Sequence, residues 1–259
     1  MLPRELDAFV AAGPGAWLGL DFDGALAAIV DDPAAATILP AARGALARLL
    51  PHVRGIAVVS GRPAAFLAER VGLDGITYAG IYGLERWQQG RVVPHPAVAD
   101  WAPVVEQAAE EASRVLPGVL VERKGAVAVT VHWRTAPEQG DAAAAWATTT
   151  ADRLGLHVLP GRMAAELRPP VPVDKGSTVA ELAEGAAAAA FAGDDAGDVA
   201  AFAALRGLQA TGGVAAAVTI GVASDESPEE VLAQDVVVEG PAGLAVLLAQ
   251  LADALSAPG

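Results

Sequence analysis

The chain has 259 residues, with 17 Lys and Arg against 31 Asp and Glu, a net charge of −14, and no cysteine. That charge disfavours nucleic acid and anionic membranes as partners. The missing thiols exclude disulfides, zinc–thiolate sites and cysteine nucleophiles.

Hydrophobic residues make up 53% of the chain, ample for one large domain or for a core with a smaller second module. The mean hydropathy of +0.40 comes mostly from Ala, and no run of about 18 apolar residues escapes a charge, a Pro or a Gly cluster. The first twenty residues carry acids where a signal peptide would be apolar. The expectation is a soluble, cytoplasmic protein.

In chain order, the first strand is predicted in "AWLGLDFD", ending on Asp21 and Asp23. Further short apolar runs follow: "GIAVVSGR" (Gly55–Arg62), "GITYAGIYG" (Gly75–Gly83), "AAAAAFAGDD" (Ala186–Asp195), "AVTIGV" and "DVVVEG". Such runs fit strands buried on both faces of a parallel sheet. Helical patterns lie between them at Ala41–Leu50, Ala64–Val71, Thr178–Glu184, Asp198–Leu205 and Gly243–Leu255. The middle of the chain differs. "PGVLVERKGAVAVTVHWR" reads as two antiparallel strands about a Lys124-Gly125 turn, the second half-exposed. A helix over Gln139–Leu154 and strands in "LHVLPG" and "MAAELRP" follow. The expected fold class is therefore α/β: a doubly wound, mainly parallel sheet in residues 1–100 and 172–259, with an α+β module at 101–171 inserted into it.

In a parallel sheet, ligands gather beyond the carboxyl ends of the strands. Asp21 and Asp23 end the first run, Ser60 and Arg62 the second, and Asp194, Asp195 and Asp198 a late one; Lys175 precedes a helix that Ser177 opens. Acids from separate strands, a hydroxyl and a lysine form an inventory for metal and phosphate. Oxygen-only ligands indicate Mg²⁺ rather than Zn²⁺. In this reading Asp21 attacks phosphorus and becomes an aspartyl-phosphate. Asp23 protonates the leaving oxygen and later deprotonates water. Ser60 donates to a phosphoryl oxygen and Lys175 offsets negative charge. Asp21, Asp194 and the Asp23 carbonyl hold the ion, with Asp195 and Asp198 acting through water or orienting the others. Arg62 either braces the loop or contacts substrate.

The ordered motifs "LDFDGAL", "VVSGR", "VDKG" and "FAGDDAGD" resemble those of the haloacid dehalogenase (HAD) superfamily of phosphatases, and the inserted module resembles the cap of one of its subgroups. "YAGIYGLER", "VERKGAVAVTVHWR" and "GRMAAELRPPVPVDKG" are similar to motifs of the trehalose-6-phosphate phosphatases. That resemblance implies hydrolysis of trehalose 6-phosphate, with Glu122, Lys124 and Glu166 reading sugar hydroxyls and Gly83 and Glu85 beside the inserted module. The chain departs from the family pattern at Ala25, where Thr is usual, at Tyr82, where His is common, and at Val199, which replaces an acid. The expected partner is a small sugar phosphate, with no nucleic acid, no membrane and a monomeric chain. The alternatives are a HAD phosphatase for sucrose phosphate or a hexose phosphate, and a non-catalytic sugar-phosphate sensor.

Overall fold

A computed structural model of the chain describes residues 2–225 and 227–257. These residues divide into two compact units, one formed by Met1–Val92 with Val173–Gly259, the other by Val93–Pro172.

In the first unit, a short helix α1 (Asp7–Ala12) leads into β1 (Ala16–Leu20), followed by α2 (Pro40–Leu49), β2 (Gly55–Val59), α3 (Ala64–Val71), β3 (Ile76–Gly80) and the hairpin β4 (Glu85–Gln88) and β5 (Arg91–Pro94). The second unit holds α4 (Ala102–Val115), β6 (Leu120–Lys124), β7 (Ala128–His132), α5 (Gly140–Leu154), β8 (His157–Gly161) and β9 (Ala164–Arg168). The chain then returns through α6 (Lys175–Ala183), β10 (Ala188–Gly193), α7 (Val199–Thr211), β11 (Ala216–Ala223), α8 (Glu229–Leu232), β12 (Val236–Glu239) and α9 (Gly240–Ser256). Helices α1, α4 and α8 and the β4–β5 hairpin were not among the predicted elements.

The large sheet runs β12-β11-β10-β1-β2-β3-β4-β5. Its first six strands pair in parallel and β4 joins β3 antiparallel. Alternation along the strands builds two cores. Leu18, Leu20, Ile56, Val58, Ala190 and Ile220 pack with α2, α3 and α9 on one face. Trp17, Ala57, Val59, Phe191 and residues of α6 and α7 pack on the other. Both faces are covered, so the strands read as unbroken apolar runs. The Ala-rich stretch before Gly193 could have been helix or strand from its sequence. Pairing with β1 and β11 makes it the strand β10.

The strand order reverses between β1 and β10. The chain builds β2 and β3 on one side of β1, then returns to lay β10 and β11 on the other. Such a switch point leaves a crevice beyond the carboxyl ends of the two strands. Register puts Leu20 opposite both Ala192 and Val58, so Asp21, Ser60 and Asp194 emerge from three neighbouring tips.

The second unit is a four-stranded sheet, β6-β7-β9-β8, antiparallel throughout. Val129, Val131, Ala165 and Leu167 face α4 and α5 in its core. Glu122, Thr130 and Glu166 lie directly opposite one another on the other face. Thr130 is not half-exposed as its alternating pattern predicts: it is buried and donates to Glu166 Oε2 at 3.2 Å.

Candidate active site

Asp21 follows β1 directly, and its N–H donates to Ala192 O at 2.9 Å, carrying sheet pairing one residue further. Its carboxylate is buried and Lys175 Nζ lies 2.7 Å from Oδ1. The same ammonium is 2.5 Å from Asp198 Oδ1. Lys175 is the first residue of α6, a start set earlier than predicted by a capping box. Ser177 N–H donates to Asp174 Oδ1 at 2.7 Å, and Asp174 N–H donates to Ser177 Oγ at 2.9 Å. A cation in the first turn opposes the helix dipole. Its two carboxylate partners explain its place there.

Asp194 follows β10. Gly24, at φ +76°, leaves the space Asp194 needs, since a Cβ there would lie 1.9 Å from Asp194 Oδ2. One carboxylate oxygen from each of Asp21, Asp194 and Asp198 lies within 4.8 Å of the others. Asp198 Oδ2 accepts from the N–H groups of Asp194 at 2.9 Å and Asp195 at 3.2 Å, so it fastens the loop after β10. Asp194 Oδ1 is buried and has no donor among the described residues.

Three buried acids face one lysine, and the titrations reflect it. Burial pushes the Asp194 carboxyl up to about 7, helped by Asp198 and Asp195. Burial also raises Asp21 well above the usual range and raises Asp198, although Lys175 opposes both. Burial works against the charge of Lys175, but Asp21 and Asp198 outweigh it and hold the ammonium above its ordinary range. The donor set is all carboxylate oxygen, buried and over-charged, with an unmatched oxygen on Asp194. These residues fit a hard divalent cation.

The structure places the other expected residues less uniformly. Ser60 is buried at the tip of β2, where its Oγ accepts from Arg62 N–H at 3.3 Å. Arg62 grips Asp23 with two bonds, Nε to Oδ2 at 2.7 Å and Nη2 to Oδ1 at 2.8 Å, and its guanidinium stacks over Phe66. The Asp23 side chain therefore stands outside the acid cluster, whereas Asp198 is part of it. Asp195 turns away, its Oδ1 accepting from Gly197 N–H at 2.8 Å. Glu85 is buried and accepts from Ala64 N–H at 2.7 Å at the start of α3, and burial raises its titration.

One feature was absent from the sequence reading. Ile81 and Tyr82 both take positive φ, +49° and +59°. Such conformations cost on the order of 1–3 kcal/mol each, and a β-branched residue rarely adopts them. The only sequence signal was Tyr82's departure from the family pattern.

In the second unit, Lys124 Nζ donates to Glu166 Oε2 at 2.6 Å, and His132 Nε2 lies 2.9 Å from Glu122 Oε2. Glu166 Oε1 is buried with no donor among the described residues. All four expected or neighbouring polar groups thus share one sheet face.

A family model described as trehalose-phosphatase matches residues 19–237. The chain belongs to the trehalose-phosphatase family. It is 38% identical over 247 residues to a trehalose-phosphate phosphatase of Mycobacterium avium (strain 104), covering 91% of this chain and 61% of that protein. It is 44% identical over 179 residues to one of Mycobacterium bovis (strain BCG / Pasteur 1173P2), covering 67% and 44%. The chain thus spans about half the length of the curated relatives it matches. In structure it is similar to a trehalose-6-phosphate phosphatase related protein, with TM-score 0.73 and 23% identity over 92% of this chain and 97% of that one. It is also similar to the C-terminal domain of the C. albicans trehalose-6-phosphate phosphatase, with TM-score 0.70 and 23% identity over 97% of each chain. A haloacid dehalogenase-like hydrolase from Bacteroides thetaiotaomicron shares the fold at TM-score 0.58 and 15% identity, covering 91% and 99%.

Proposed function

We propose that this chain is a Mg²⁺-dependent phosphatase that hydrolyses trehalose 6-phosphate to trehalose and phosphate. The observation that carries the reading is the buried set Asp21, Asp194, Asp198 and Lys175 at the strand switch point, with Asp194 Oδ1 unmatched among the described residues.

Asp21 and Asp194 would hold Mg²⁺, which when bound supplies positive charge where a carboxylate and a phosphate must approach each other. A carboxylate oxygen of Asp21 forms a bond to phosphorus as the ester bond from phosphorus to the sugar oxygen breaks. The leaving oxygen takes a proton from Asp23. Water then attacks the aspartyl-phosphate while Asp23 takes its proton, releasing phosphate and restoring Asp21. Asp23 is gripped by Arg62 in this structure, so that pair opens for the proton transfers. Ser60 donates to a phosphoryl oxygen. Lys175 holds Asp21 in place and adds positive charge.

Recognition of the sugar is assigned to the second unit. A non-reducing disaccharide offers only hydroxyls, and Glu166 Oε1 is an acceptor with no donor among the described residues. Glu122 and Lys124 extend the same row with charge-assisted hydrogen bonds. Phosphate release from trehalose 6-phosphate, sucrose phosphate and hexose phosphates in Mg²⁺ tests the reading. Trehalose 6-phosphate is expected to give the highest kcat/KM. A better rival would overturn the substrate, and binding without turnover would overturn the enzyme.

A further inference from the structure

The turn between β3 and β4 is strained at two successive residues, and its backbone groups are bonded to the loop after β2 and to α6. Ile81 N–H donates to Arg62 O at 3.0 Å, and Tyr82 N–H donates to Ser60 O at 2.9 Å. Tyr82 O accepts from Thr178 Oγ1 at 3.0 Å. Thr178 sits three residues beyond Lys175, almost one turn along α6. The Tyr82 ring lies on the backbone of Gly61, where a Cβ would come within 2.7 Å of the phenol oxygen. The two backbone groups of one residue therefore join the strand tip that carries Ser60 to the helix that carries Lys175, and an aromatic ring clamps the glycine next to Ser60. A relaxed backbone would not need this turn; two L-residues at positive φ persist only where their surroundings over-determine them.

We propose that Tyr82 is a positioning residue for phosphoryl transfer: its left-handed backbone and its ring hold Ser60 and Lys175 in mutual register. The inference rests on the function proposed above. It adds that the family position often held by His does its work here through ring packing and peptide geometry, not through an imidazole. The phenol oxygen and the ring carbons Cζ and Cε1 all lie against Gly61, so Phe keeps most of that contact and Gly none of it.

The test compares Tyr82→Gly and Tyr82→Phe with the native protein. The readouts are thermal unfolding and steady-state kinetics on trehalose 6-phosphate and on p-nitrophenyl phosphate. Glycine relieves the backbone, so Tyr82→Gly is expected to keep or raise Tm while kcat falls at least about tenfold on both phosphates, with KM moving less than about threefold. Tyr82→Phe is expected to stay within about threefold of native kcat. Native kcat in Tyr82→Gly overturns the proposal, as does a kcat loss that comes with a lower Tm. Thr178→Val removes only the bond to Tyr82 O; a loss of kcat smaller than that of Tyr82→Gly supports the link to Lys175, and no loss overturns it. If neither phosphate is turned over, the function proposed above has failed. The brace is then read from orthovanadate binding in Mg²⁺, which Tyr82→Gly should weaken about tenfold; unchanged vanadate binding overturns it.

Discussion

The two units carry polar clusters that are unfinished in opposite ways. In the first unit, three carboxylates surround one ammonium, and Asp194 Oδ1 has no donor among the described residues. In the second, Lys124 pairs with Glu166 and Glu122 with His132, and Glu166 Oε1 is an acceptor with no donor among the described residues. The first lacks positive charge and calls for a cation. The second lacks only a donor, which a neutral hydroxyl satisfies. On the function proposed above, the over-charged cluster makes and breaks bonds while the near-neutral row recognises the sugar.

The strongest way to break that contrast is at Asp21. Asp21→Asn should lower kcat at least about 10³-fold on every phosphate tested. It also removes one of three crowded acids, so Tm without metal should rise. Activity that survived would return Asp21 to the role of a spectator. Lys175→Met should act on both properties. It leaves Asp21 and Asp198 buried without their shared cation, a change that typically costs about 3–5 kcal/mol, and kcat should fall about 10²-fold or more. The matching change in the second unit, Lys124→Met, should cost no more than about 1 kcal/mol, because Glu166 keeps the Thr130 hydroxyl. Urea unfolding of both variants compares the clusters directly, and equal losses would erase the distinction.

Metal addition tests the same point through pH. In the folded protein Asp194 holds its proton up to about 7, whereas an unfolded aspartate releases it near 4. Between those values the unfolded chain binds fewer protons, so the metal-free protein loses stability as pH rises through that window. A cation that pairs with the ionised form offsets this loss. The increase in Tm on adding Mg²⁺ should therefore be larger at pH 8 than at pH 6, and EDTA should abolish turnover. A Tm shift independent of pH would place the ion elsewhere.

The parallel core was legible because strands buried on both faces leave continuous apolar runs, and because Asp21, Ser60 and Asp194 each follow such a run directly. What was hidden depends on side chains meeting across the fold. Nothing local shows that Arg62 closes on Asp23, 39 residues away in sequence, or that Asp198 lends one oxygen to the loop and the other to Lys175. The sequence puts Lys175 before its helix rather than in it, because Ser177 reads as the opening residue whereas the cap is Asp174 and Ser177 closes the capping box from within the first turn. The Ile81–Tyr82 turn was the least legible, since a strained backbone needs no distinctive residue type. Helix α4 escaped notice because Pro96 and Pro103 flank its start and suggest a linker.

Smaller effects sharpen the second unit. Glu166→Gln keeps the size of the side chain but gives up the charge facing Lys124. It should lower kcat/KM for trehalose 6-phosphate about 10- to 100-fold and leave p-nitrophenyl phosphate within about twofold. Equal losses on both would show that the row acts on the chemistry rather than on the sugar.

The weakest expected effect lies at His132. Its pair with Glu122 is partly open to water, with 44% of the Glu122 side chain exposed, and exposed pairs are worth at most about 1 kcal/mol. On the function proposed above, the pair keeps one Glu122 oxygen in place while the other meets the sugar. His132→Gln retains a donor of similar reach, whereas His132→Ala leaves Glu122 free to rotate. His132→Ala should therefore raise KM for trehalose 6-phosphate about two- to fivefold with kcat unchanged, and His132→Gln should restore most of it. The difference should shrink in 0.5 M salt, where screening already loosens the native pair. A kcat effect from either variant would tie this sheet face to the bond-making step and end the division of labour between the two units.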